Sequence, residues 1–122
     1  MNKSVIFKAS SFSSQYTLDE LITANGYDLL NPEVNFVIEI NSEKFFEEPY
    51  FPVLEFLQQI ALWKEQSADF YYNSLEAEED NPLISFVSEN GLFRIHSPWQ
   101  KFECNELFSK DDILQAIMKM NI

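Results

Sequence analysis

Hydrophobic and polar positions along the chain alternate with two different periods. In Asn35-Phe-Val-Ile-Glu-Ile40, Phe36, Ile38 and Ile40 fall on one side and Val37 and Glu39 on the other, which predicts a half-buried strand. Val53, Phe56, Leu57, Ile60, Ala61 and Trp63 recur at spacings of three and four, leaving Glu55, Gln58, Gln59, Lys64, Glu65 and Gln66 to a wetter side. That pattern predicts an amphipathic helix, and Pro52 stands at its start, where a missing N–H costs nothing. Lys3 to Phe12 opens with Val5, Ile6 and Phe7 and predicts a first strand. Thr17-Leu-Asp-Glu20 has the form of a capping box, and Leu21, Ile22 and Ala24, with Gly26 as the stop signal, predict a helix of one or two turns.

Further along, Glu43 to Glu48 reads as a loop or a short antiparallel continuation, with Phe45 and Phe46 set among charges. Asp69 to Leu75 is aromatic and strand-like, and it runs into Glu76-Ala-Glu-Glu-Asp-Asn-Pro82, too acidic for any core and therefore an exposed loop. Leu83–Ser88 and Leu92–His96 flank Asn90-Gly91, which supplies the positive φ angles of a two-residue turn and predicts a β-hairpin. Trp99 to Cys104 alternates and predicts one more strand after the Pro98 corner. Ser109 with Asp112 caps a closing helix whose stripe is Ile113, Leu114, Ile117 and Met118. The sum is an α+β fold, an antiparallel β-sheet with two or three helices packed on one face.

Composition narrows the class. The 122 residues fit a single domain over 1–122, and 46% hydrophobic residues with twelve Phe supply a full core. No apolar run approaches the roughly 20 residues of a membrane span. Lys8 interrupts the N-terminal apolar segment too early for a signal peptide, so a cytoplasmic location is expected. Cys104 stands alone, which fits a reducing compartment and leaves no cysteine-based zinc site. The net charge is −12, and it is concentrated: between Asn31 and Asp80, Lys44 and Lys64 face twelve acids, net −10. Such a field repels nucleic acid and anionic lipid and attracts a basic protein surface.

Little here carries chemistry. His96 is the one histidine, and a single imidazole is a slender basis for a hydrolase or a metal site. Glu103 and Glu106 flank Cys104, the opposite of the electropositive surroundings that activate a thiolate. Glu76, Glu78, Glu79 and Asp80 cluster without the glycine turn and distant bidentate Glu of a calcium loop. With only Gly26 and Gly91 there is no glycine-rich phosphate loop. A protein without catalytic residues, metal or cofactor is expected.

Phe45-Phe-Glu-Glu-Pro-Tyr-Phe-Pro-Val-Leu-Glu-Phe-Leu, with Asn81-Pro-Leu-Ile-Ser-Phe and Ser97-Pro-Trp-Gln, resembles a family of small acidic bacterial domains of unassigned function over roughly residues 36 to 120. In size and charge such domains are similar to the immunity proteins that accompany secreted or contact-delivered toxins. By that analogy the chain neutralises a basic toxin, such as a nuclease, by competing for its phosphate groove. The expected contact residues are Glu43, Glu47, Glu48, Asp69, Glu76, Glu78, Glu79 and Asp80, with Tyr50, Tyr71 and Tyr72 as aromatic anchors. Exposed aromatics such as Tyr50, Phe51 or Trp99 would instead serve a neutral protein partner in an assembly domain.

Overall fold

The computed structural model describes residues 3–11, 33–74 and 78–120; the expected helix over 17–26 and Glu76 lie outside them. The described elements run β1 (Val5–Ser11), β2 (Glu33–Ile40), β3 (Glu43–Pro52), α1 (Val53–Lys64), β4 (Phe70–Tyr72), a 3₁₀ turn (Glu78–Asp80), β5 (Ile84–Glu89), β6 (Leu92–His96) and α2 (Lys110–Met118). They form an α+β structure with two antiparallel three-stranded sheets, ordered β1-β2-β3 and β4-β5-β6. The single sheet expected from the sequence is therefore two. Alternation marks a strand but says nothing of its partner, and after α1 the chain starts a new sheet by pairing β4 with β5.

Phe36, Ile38 and Ile40 of β2 are buried as their alternation predicts, opposite Phe7 and Ala9 of β1. Residues 43–48, open between loop and strand in the sequence, belong to β3. In α1 the buried residues are Val53, Leu54, Phe56, Leu57, Ile60 and Trp63, so Leu54 replaces Ala61 in the expected stripe. Phe56 is the hinge of the core: its ring lies 5.3 Å from Phe36 and 5.8 Å from Phe51 in the first sheet. It also lies 5.9 Å from Phe70 and 5.4 Å from Tyr72 in the second. Edge-to-face and offset rings of this kind add specific geometry to area burial.

The hairpin forms as predicted, Asn90 and Gly91 taking φ of 54° and 84°. Ser109 caps α2, its Oγ accepting the Asp112 N–H at 3.0 Å, and Ile113 and Ile117 are buried against the core. Met118, expected in that stripe, is exposed. Residues 99–104 are not a strand. The Lys101 N–H donates to Phe45 O at 2.8 Å, Phe102 meets Phe45 edge-on at 5.5 Å, and Trp99 stacks over Phe46. The free edge of β6 is engaged by Phe108, which exchanges backbone bonds with Phe93, so the alternating segment has no ladder to join.

Candidate partner-binding surface

β3 is the edge of its sheet and carries two irregularities. Phe46 pairs with Ile38 and Lys44 with Glu39, so Phe45 is an extra residue; Glu48 pairs with Phe36 and Phe51 with Val34, so Pro49 and Tyr50 hold another. Bulges bend an edge strand and re-aim its side chains. At the second, Tyr50 adopts φ 61° and is 63% exposed. A bulky residue in the left-handed region is costly, and such strain concentrates at functional sites. Glu48, opposite Phe36 on the core side, has its carboxyl pushed above the usual range by burial. Glu47 faces the other way, opposite Val37, and is bridged by Lys44 at 3.4 Å. Glu43 is exposed at the far end of β3, about 23 Å from Tyr50 by strand rise.

β4 separates its residues by alternation. Phe70 and Tyr72 point inward, and Tyr72 is fully buried, its hydroxyl donating to Glu55 Oε1 at 2.6 Å. Tyr72 is therefore a core residue and not a contact anchor. Phe51, offered for a neutral partner, is likewise wholly buried, its ring 4.3 Å from Phe36. Tyr71 is exposed and its hydroxyl lies 3.4 Å from Asp69 Oδ2. Asp69 Oδ1 accepts the Ser88 N–H at 3.0 Å; the Ser88 hydroxyl, more than that N–H, holds the carboxyl below its usual range. Asp69 thus joins β4 to β5 as well as facing solvent.

Tyr72 also locates the acidic turn. Its ring is 5.6 Å from Phe51 and its carbonyl accepts the Leu83 N–H at 2.9 Å, while Asn81 clasps Ser74 N and O at 2.9 and 2.8 Å. The end of β3 and the start of α1 therefore meet the exit of β4, and Asn81, the residue after the Glu78–Asp80 turn, is tied to the same exit. Tyr50 and Glu55 belong to that end, Glu79 and Asp80 adjoin it in sequence through Asn81, and Glu48 leads into it; Glu43, Glu47 and Asp69 do not belong to it. Glu79 and Asp80 are exposed. Glu55, which the sequence leaves on the wetter side of α1, stands in the first turn of that helix, where an acid suits the helix dipole, and accepts the Tyr72 hydroxyl.

Most of the cations are engaged within the fold. Lys8 bridges Glu39 at 2.9 Å, Lys44 bridges Glu47, and Arg94 forks onto Glu89, whose carboxyl it holds below the usual range. Lys110 lies 4.7 Å above the Trp63 ring and donates to Trp63 O and Gln66 O; Lys3 donates to Leu107 O. Among the described residues Glu43, Glu48, Glu65, Glu79 and Asp80 have no bridging cation. His96 is exposed, and Cys104 is buried with its thiol 3.4 Å from Glu106 O. No group of three or more His, Cys, Asp or Glu among the described residues is placed to hold a metal ion. No described helix is long and apolar enough to cross a membrane.

No curated protein and no solved structure matches the chain. A family model described as a domain of unknown function, DUF7878, matches residues 9–121. Nearly the whole of the described fold lies inside that match, and the chain belongs to this family.

Proposed function

We propose that the protein works by binding and not by catalysis, and that it neutralises a basic protein partner in the manner of a toxin-immunity protein of the cytoplasm. One observation carries the reading: Lys8, Lys44, Arg94, Lys110 and Lys3 are engaged inside the fold while Glu79 and Asp80 stand exposed with no bridging cation among the described residues. Charge of one sign left unbalanced at one end steers a cationic partner and speeds encounter. Tyr50, held outward on a strained bulge beside Glu48, supplies the aromatic anchor that such contacts use. A nuclease domain, whose groove must be basic to hold phosphates, is a partner of matching chemistry.

The neutral-partner alternative rests on the exposed rings of Tyr50 and Trp99. Salt separates the two. Affinity capture from the native cells, followed by calorimetry with the captured protein, should give binding that weakens steeply as NaCl rises. Changing Glu79 and Asp80 together to Lys should cost at least about tenfold in affinity. Binding indifferent to both salt and that double change would remove the electrostatic reading and leave the aromatic one.

A further inference from the structure

β4 is the outer strand of its sheet, pairing with β5 alone among the described residues. An outer strand presents backbone N–H and C=O groups that can take up a further strand. The edges of β3 and β6 are met by backbone: the Lys101 N–H donates to Phe45 O, and Phe108 exchanges bonds with Phe93. At β4 the chain uses side chains from α1 instead.

Tyr72 turns its carbonyl toward β5, where it accepts the Leu83 N–H at 2.9 Å. Successive residues of a strand turn their backbone groups to opposite sides, so those of Tyr71 and Asn73 point out of the sheet. Gln59 meets Asn73 there with both ends of its amide. Its Nε2 donates to Asn73 O at 3.0 Å, and the Asn73 N–H donates to Gln59 Oε1 at 3.1 Å. One donor and one acceptor exchanged with a single residue is what the facing residue of an added strand would offer. Beside this pair, Asn73 Nδ2 donates to Tyr71 O at 3.4 Å, and Trp63 Nε1 donates to Ala68 O at 2.7 Å. Phe56, Ile60 and Trp63 are buried on the same helix and hold Gln59 in place against the strand.

We infer that Gln59 is an autoinhibitory contact: its amide occupies the outer edge of β4 and bars the addition of a strand there. The strand it excludes is β4 of a second copy, because two identical edges can pair antiparallel about a two-fold axis. Centred on Tyr71, such a pairing sets Asp69 opposite Asn73 and the two Tyr71 rings, each 50% exposed in the single chain, across from one another. The Asn73 groups it would need are the ones that Gln59 holds. This closure is independent of the partner that the acidic end meets.

Amide hydrogen exchange and sedimentation of the full chain test this, both in high salt, where repulsion between acidic copies is screened. In the wild-type chain the Asn73 amide should exchange at least about tenfold more slowly than a free peptide amide, although Asn73 is exposed. Gln59→Leu keeps the bulk and removes the amide; it should speed that exchange by about tenfold or more and strengthen self-association by about tenfold or more. Adding Tyr71→Pro should return association to the wild-type level, because the Tyr71 N–H points outward and a proline there blocks the edge without costing a bond to β5. If Gln59→Leu folds poorly, the wild-type amide still decides: exchange at Asn73 as fast as in a free peptide overturns the inference. So does a folded Gln59→Leu chain that associates no more than wild type, or an association that Tyr71→Pro leaves intact.

Discussion

Tyr50 is the residue whose conformation is hardest to explain by folding alone. Its φ of 61° lies where an L side chain crowds its own backbone, at a cost of about 1–2 kcal/mol, yet the ring is mostly in solvent. Glycine would hold the bulge without that crowding, so Tyr50→Gly should raise the stability to urea by up to about 1 kcal/mol while lowering affinity for the partner. A variant that is less stable and binds equally well would mean that the ring serves the fold. Two carboxylates differ in the same diagnostic way. Asp69 has a depressed pKa, chiefly through the Ser88 hydroxyl, so its contribution to stability is present above its unfolded value and is lost as pH falls through the folded one. Asp69→Asn should therefore flatten the acid limb of the stability curve below about pH 4. Burial raises the pKa of Glu48, so the sign reverses: the folded state is favoured below the unfolded value, and that advantage is lost as pH rises through the folded one. Glu48→Gln should be stabilising at pH 7 and nearly neutral at pH 3, as measured by urea unfolding at both.

At the level of elements, the turn and cap chemistry makes sharp predictions. Gly91 has φ 84° and open space where a Cβ would sit, so Gly91→Ala should cost about 1 kcal/mol through the backbone alone. Ser109→Ala removes the cap on α2 and should cost about 1 kcal/mol in the same denaturation measurement. These were also the elements most legible in the sequence, along with β2 and α1, because each is specified by a local period or a short motif. β3 was legible only as one of two alternatives, loop or antiparallel continuation, since the extra residues at Phe45 and at Pro49-Tyr50 break the alternation that identifies a strand. Residues 99–104 failed in the opposite way: their alternation is real, with Trp99, Lys101 and Glu103 exposed, but Phe102 on the drier side uses it to cover Phe45 and joins no ladder. Alternation reports which sides are wet and dry, not whether a ladder edge is open. Of the contact residues, the exposed acids of the 78–80 turn follow from composition, whereas Tyr71 and Tyr72 are neighbours of the same type and their opposite fates depend on which face of β4 the core occupies.

For the whole molecule the governing quantity is where charge is balanced and where it is not. A net charge of −12 destabilises a compact chain by self-repulsion, and the internal pairs of Lys8, Lys44 and Arg94 relieve this only locally. Added NaCl should raise the thermal midpoint of the free protein by screening that repulsion, within a Debye length of about 10 Å at 0.1 M. The same salt should weaken capture of a basic partner, so stability and affinity move in opposite directions along one titration. Reversing Glu79 and Asp80 to Lys imitates salt at a single place: it takes the charge from −12 to −8 and removes two exposed acids of the 78–80 turn. The double variant should be the more stable protein at low salt and the weaker binder, with the two differences shrinking together as salt rises. Gln at both positions, which removes charge without adding any of the opposite sign, should fall midway on both measures. If the Lys variant gains stability but keeps its affinity, the acidic end is a surface tolerated for solubility, and the partner is held somewhere else.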